Sequence, residues 1–188
     1  MKAKLYSGVA NGNSDLEKVL IAIKEDLTSL TTQINGIKTI FNGKGMVGSA
    51  GLAIGSTKPN VANGNLFYII GGVQYYLAAD AVGTALSGDN VPQNKFGAWA
   101  LDIDAAGSIT IAPAAANAAG YASAALAGAG IPAVAATKVR LGYATAINTG
   151  AVFDPGTTNL DAVGVTDTYV NSDSIYNSIG TAVSMNLE

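Results

Sequence analysis

Large apolar side chains recur near the amino end at alternating intervals of four and three residues, carried by Leu16, Leu20, Ile23, Leu27, Leu30, Ile34, Ile37 and Phe41. The order is that of a heptad seam, with Leu20, Leu27, Ile34 and Phe41 at a, and Leu16, Ile23, Leu30 and Ile37 at d. The pattern predicts a coiled-coil helix over 14–42, opened by an N-cap at Ser14 with Glu17 at the capping-box position. The seam would run roughly 39 Å at 1.5 Å per residue. On a lone helix it would stand in water, whereas a parallel oligomer buries it. Leu at a with Ile at d (Leu20/Ile23) and Ile at both (Ile34/Ile37) favour three or four strands over two. Val19, Thr31, Gln33 and Ile40 beside the seam suit the wider interface of a trimer. The expected oligomer interface is therefore the eight seam residues. A single helix packed on its own domain is the competing reading, but its apolar stripe is usually broader than a strict 3.5-residue period.

Beyond the seam the pattern changes. Residues 1–13 read as an arm ending in the turn signal Asn11-Gly12-Asn13, and 43–64 as a Gly-rich linker. Gly43-x-Gly45-x-x-Gly48 spells a dinucleotide fingerprint, yet a helix precedes it and more glycine follows, the wrong context for that site. From Leu66 the period falls to two. Leu66–Ile70 and Val73–Leu77 flank Gly71-Gly72 as a hairpin. Residues 96–103 and 108–111 form a second pair, with a turn at Val91-Pro92-Gln93-Asn94 before them. The Ala-rich run 114–129 predicts a helix by propensity, stopped by Gly128, Gly130 and Pro132. Strand alternation resumes over 138–147 and around Thr168–Val170, and 171–188 reads as a polar C-terminal arm. The expected fold class is α+β: an N-terminal heptad helix in a parallel trimeric coiled coil, then a compact, mainly antiparallel β head over 65–170 with one Ala-rich helix.

Composition narrows the chemistry. The 188 residues include 23 Gly and, by count, 33 Ala, so large anchors are few and stability is expected to be shared with neighbouring subunits. With no Cys and no His there is no disulfide, no thiolate zinc site and no Ser-His-Asp arrangement. No apolar run follows Lys2 and Lys4, so no signal peptide is expected, and no stretch is long enough to span a membrane. Seven of the ten cations lie in 1–58 with four anions, while Lys95, Lys138 and Arg140 face nine anions in 59–188. Cations so scattered make no phosphate-tracking patch, so nucleic acid is not an expected partner.

Three constellations remain. Asp102 and Asp104, two apart on a strand, share a face and could hold Ca²⁺ or act as acid and base; a solvated strand face is the plainer reading. Asp154 and Asp161 flank a Gly-Thr-Thr-Asn loop with oxygen ligands to offer, though turn chemistry is the plainer reading here too. Phe67, Tyr68, Tyr75, Tyr76, Phe96 and Trp99 form either the core or a sugar-stacking platform. Lys138 and Arg140 share a strand face, and each is expected to pair with a neighbouring Asp. No cofactor and no metal is expected, and no enzymatic activity.

The segments Gly64–Tyr76, Val91–Trp99, Lys138–Tyr143 and Phe153–Leu160 resemble small structural proteins of tailed bacteriophages, the head-fibre and capsid-decoration (cement) proteins. The resemblance covers about residues 60–165. It implies a homotrimeric virion protein, made in the host cytoplasm and bound to the capsid exterior, where it fastens neighbouring major capsid proteins. It brings no catalytic residues. On this reading Lys2 and Lys4 of the cationic arm are candidate capsid contacts. The alternative from another class is a trimeric receptor-binding fibre or adhesin whose exposed aromatics recognise a surface glycan.

Overall fold

A computed structural model describes residues 14–41, 43–58 and 60–174, with side chains over 16–34 in the first of these stretches. Two units result, one ending at Ile40 and one beginning at Phe41. Helix α1 spans Ser14–Phe41, as the heptad period predicts. The capping contacts expected of Ser14 lie outside the described side chains, as do the arm 1–13 with Lys2 and Lys4, and the side chains of Ile37 and Phe41.

The second unit is α+β, with antiparallel pairing throughout its named strands. In chain order these are β1 (Gly45–Met46), β2 (Ala53–Ile54), β3 (Asn60–Asn63), β4 (Leu66–Ile70), β5 (Val73–Leu77), β6 (Asp80–Ala85), β7 (Phe96–Asp104) and β8 (Ile109–Pro113). The short helix α2 (Ala124–Ala129) then precedes β9 (Lys138–Asn148) and β10 (Val165–Asn171). Three sheets form, with orders β1-β4-β5, β10-β9-β7-β8 and β2-β3-β6. The predicted hairpin is present: Ile70 pairs with Val73 across Gly71 and Gly72, both at the positive φ that such a two-residue turn needs.

β7 is the middle of the structure, buried at every position from Gly97 to Ile103. Trp99, Leu101 and Ile103 enter the main core beside Tyr68, Met46, Leu141, Phe153 and Leu160. On its other face Ala98 meets Ala114 and Ala127, with Phe96, Tyr121 and Ile131 around them. Alanine on that face lets α2 lie close to the sheet, the packing use of a residue that fills little volume.

Three expectations are corrected. The stretch 43–64 is no linker: it supplies β1, β2 and β3, and Met46, Ala50, Leu52 and Val61 are buried in the core. Gly55 serves close approach there: a side chain at this position would collide with the carbonyl of Val82. The Ala-rich run is helical only over Ala124–Ala129, capped by the Ser123 hydroxyl. Upstream, the Asn117 side chain accepts from the Ala98 amide and donates to the Ala98 carbonyl, both at 3.1 Å, while Gly120 takes φ +69° and Tyr121 bridges Phe96. Two satisfied buried hydrogen bonds outweigh a few tenths of a kcal/mol of helix propensity per residue. Finally, 171–174 belongs to the head: the Asn171 side chain accepts from the Leu52 amide at 3.0 Å, and Ser174 pairs with Met46. Residues 175–188 of the predicted arm lie outside the described residues.

Candidate assembly site

Among the described side chains, helix α1 presents its seam largely uncovered. Leu16, Ile23, Leu27, Leu30 and Ile34 are 43–63% exposed, and Leu20 is partly covered. Val19 beside them is exposed as well, widening the stripe. The hydroxyls of Thr28, Thr31 and Thr32 donate to carbonyls one turn back, at 2.8–3.0 Å, so they demand no further partner if a neighbouring helix covers them. All eight predicted interface residues therefore lie on one helix, and six of them have described side chains. No helix among the described residues is long and apolar enough to cross a membrane.

In the head the two candidate carboxylates do not form a shared site. Asp102 is nearly buried and receives the Arg140 guanidinium twice, Nε to Oδ1 at 2.9 Å and Nη2 to Oδ2 at 3.1 Å. Arg140 also donates to the Pro132 carbonyl at 2.9 Å. Strand register sets this pair, since Asp102 of β7 stands opposite Arg140 of β9 beside a bulge. Asp104 is occupied elsewhere: its Oδ1 accepts from the Ala106 and Ser108 amides, at 2.9 and 3.0 Å, and closes the β7–β8 turn. The expected carboxylate partner is thus found for Arg140, whereas Lys138 donates to the Thr110 hydroxyl at 2.7 Å. Asp161 pairs with Lys58 at 2.9 Å, and the Asp154 backbone closes its own turn through Thr157 and Thr158. No cluster of three metal-ligating side chains occurs among the described residues.

The aromatics divide by strand alternation. Tyr68 stacks on Tyr75 at 5.3 Å on the inner face of the hairpin, and its hydroxyl donates to the Asp104 carbonyl at 2.9 Å. Burial pushes that hydroxyl's pKa up, with Asp104 and Tyr75 adding to the shift. Trp99 is wholly buried against Phe153, so it cannot be a sugar-stacking surface. Among the described residues, only Phe67 and Tyr76 form an exposed aromatic pair, with ring centres 5.0 Å apart on the outer face. The Tyr76 hydroxyl donates to Asn65 Oδ1 at 2.9 Å. On β10, Tyr169 carries a hydroxyl raised in pKa by burial and by Asp167.

No family model, curated protein or solved structure matches this chain.

Proposed function

We propose that the protein is a homotrimeric structural component of a tailed-bacteriophage virion that decorates or cements the capsid exterior. The observation that carries this reading is the uncovered heptad seam of α1, a surface whose spacing suits copies of itself. Three-fold association then displays three β heads, each rich in small residues and tightly paired strands. The cationic arm, with Lys2 and Lys4, supplies the contact with acidic capsid surface. The role is mechanical. Apolar area buried between protomers and against major capsid protein, at about 25 cal/mol per Å², opposes the expansion of a filled shell. No step in this role requires a catalytic group, and the two head aspartates serve the fold instead.

The test is twofold: the mass of the protein in solution, and its effect on empty heads. A three-chain mass, with an upward shift in the temperature at which decorated heads disrupt, is the expected outcome. A one-chain mass together with undecorated behaviour of the heads overturns the proposal.

The exposed Phe67–Tyr76 pair favours a second reading, a trimeric fibre or adhesin that stacks a glycan ring on these two side chains. Glycan-array binding that is lost in Phe67→Ala, with capsids unaffected, would select it over the first.

A further inference from the structure

Sheet β1-β4-β5 ends in an open strand edge. At its β1 end, Met46 is bridged by Ser174; at its other end, β5 has β4 as its sole backbone neighbour among the described residues. The register shows which groups face outward. Ile70 and Val73 flank the two-residue turn and exchange hydrogen bonds, so the bonded pairs continue at Tyr68/Tyr75 and Leu66/Leu77. Phe67/Tyr76 and Ile69/Gln74 are then the pairs whose backbone groups point out of the hairpin. The Phe67 carbonyl agrees with this, since it turns toward the β1 side to accept from the Val47 amide at 2.9 Å. The amides and carbonyls of Gln74 and Tyr76 consequently face away from β4, on residues that are both exposed.

Native edge strands normally carry a charge, a proline or a bulge that blocks pairing with another chain. Among the described residues the open strand β2 is only two residues long, and the others apart from β5 carry such a device: Pro113 in β8, Asp167 in β10, and Asp80 with a register shift in β6. Val73-Gln74-Tyr75-Tyr76-Leu77 has none of them.

We propose that β5 pairs with β5 of a second copy of this chain, antiparallel, about a two-fold axis through Tyr75. The register closes on itself. Gln74 faces Tyr76 of the second copy and Tyr76 faces its Gln74, so the outward amides and carbonyls of both strands are satisfied by four hydrogen bonds. Tyr75 meets its own copy as a non-hydrogen-bonded pair. On the outer face, each Phe67–Tyr76 pair is extended by Gln74 of the other copy. Charge permits this occupant: β4 and β5 carry no charged residue, so two copies meet at this edge with no like charges set against each other. The contact stands independently of the coil. A two-fold contact at the head added to a three-fold contact at the helix builds an assembly larger than a trimer.

The chain has no cysteine, which permits a clean cross-linking test in the full-length protein. In the proposed register the two Tyr75 Cα atoms lie about 4.5 Å apart, within disulfide reach. The two Gln74 positions are diagonal, about 7–8 Å apart and past it. Under mild oxidation Tyr75→Cys is expected to run at twice the chain mass on a non-reducing gel, and Gln74→Cys, the more exposed position, at one chain mass. Near-ultraviolet circular dichroism from buried Trp99 verifies that each variant is folded. Tyr75→Cys combined with Gln74→Pro, which removes an outward amide that no intrachain bond uses, is expected to lose the cross-link. Absence of the Tyr75→Cys dimer, or equal cross-linking of Gln74→Cys, overturns the proposal. Repeating the test with Leu27→Asp separates it from the coil: the cross-link is expected to persist when three-fold association is gone, and its disappearance there also overturns the proposal.

Discussion

Leu27→Asp strikes the seam at its most exposed member. Leu27 is 63% exposed on the helix, with Ile23 at 55% and Leu30 at 51% on the neighbouring turns. Covering an aliphatic side chain of this size completely is worth about 1.5–3 kcal/mol, so covering the exposed half recovers about 1 kcal/mol per residue. Over Leu16, Ile23, Leu27, Leu30 and Ile34 that comes to about 5 kcal/mol per chain, of which the Leu27 layer supplies about a fifth. Asp at position 27 removes roughly 3 kcal/mol of burial from the trimer and asks three carboxylates to share one dehydrated layer, at several kcal/mol more. Sedimentation equilibrium at micromolar concentration is expected to give three times the 18.8 kDa chain for the wild type and a single 18.8 kDa chain for Leu27→Asp. Ser29→Asp, on the opposite side of the same turn, is expected to keep the wild-type mass. A wild type that weighs one chain, or a Leu27→Asp that still weighs three, refutes the reasoning.

Three further outcomes concern the head. Asp102→Ala strands the Arg140 guanidinium, whose side chain is four-fifths covered, and is expected to cost about 2–4 kcal/mol in urea unfolding; Asp104→Ala, which loosens one turn, about 1 kcal/mol. Trp99→Ala opens a cavity at the middle of β7 and is expected to cost about 3–5 kcal/mol in the same measurement, whatever ligand the head binds. Tyr68 holds its proton more tightly folded than unfolded, so its contribution is whole below pH 10.0 and is lost as pH rises above that value, because the unfolded chain ionises first. Tyr68→Phe is expected to lose about 1 kcal/mol at neutral pH, with its hydrogen bond to Asp104, and to show a shallower alkaline decline in thermal stability.

Elements that write their geometry into adjacent residues were legible in the sequence. The Gly71-Gly72 hairpin is one, because the positive φ of a two-residue turn and the alternation on both sides are local. The extent of α1 is another, because a seven-residue period sustained over four turns and more suits no other element. Strands of two to four residues, such as β1, β2 and β3, are too short to show a period. Their glycines also carry an ambiguous message, since the residue that loosens a linker is the one that lets two backbones touch, as at Gly55. The Ala-rich run misled for a different reason: propensity speaks residue by residue, while Asn117 is held by a partner 19 positions away. Asp102 and Arg140 were each visible as a charged residue on a strand face, but their pairing follows from β7–β9 register across 38 residues.

The two surfaces left uncovered by the described residues are opposite in chemistry and alike in origin. The α1 seam is apolar side chain without a neighbour; the β5 edge is polar backbone without a neighbour. Each is a regular element carried one step past what the rest of its unit can satisfy, and each is unmarked by the charges that elsewhere keep copies apart. Only 12% of the residues are charged, and small side chains limit how much the head can bury by itself. A chain so composed gains least from thickening its own core and most from lending regular surfaces to other copies. Position 75 on a strand edge and position 27 on a helix seam therefore bear on one physical problem, and the proposed two-fold contact at one and three-fold contact at the other can be disrupted one at a time.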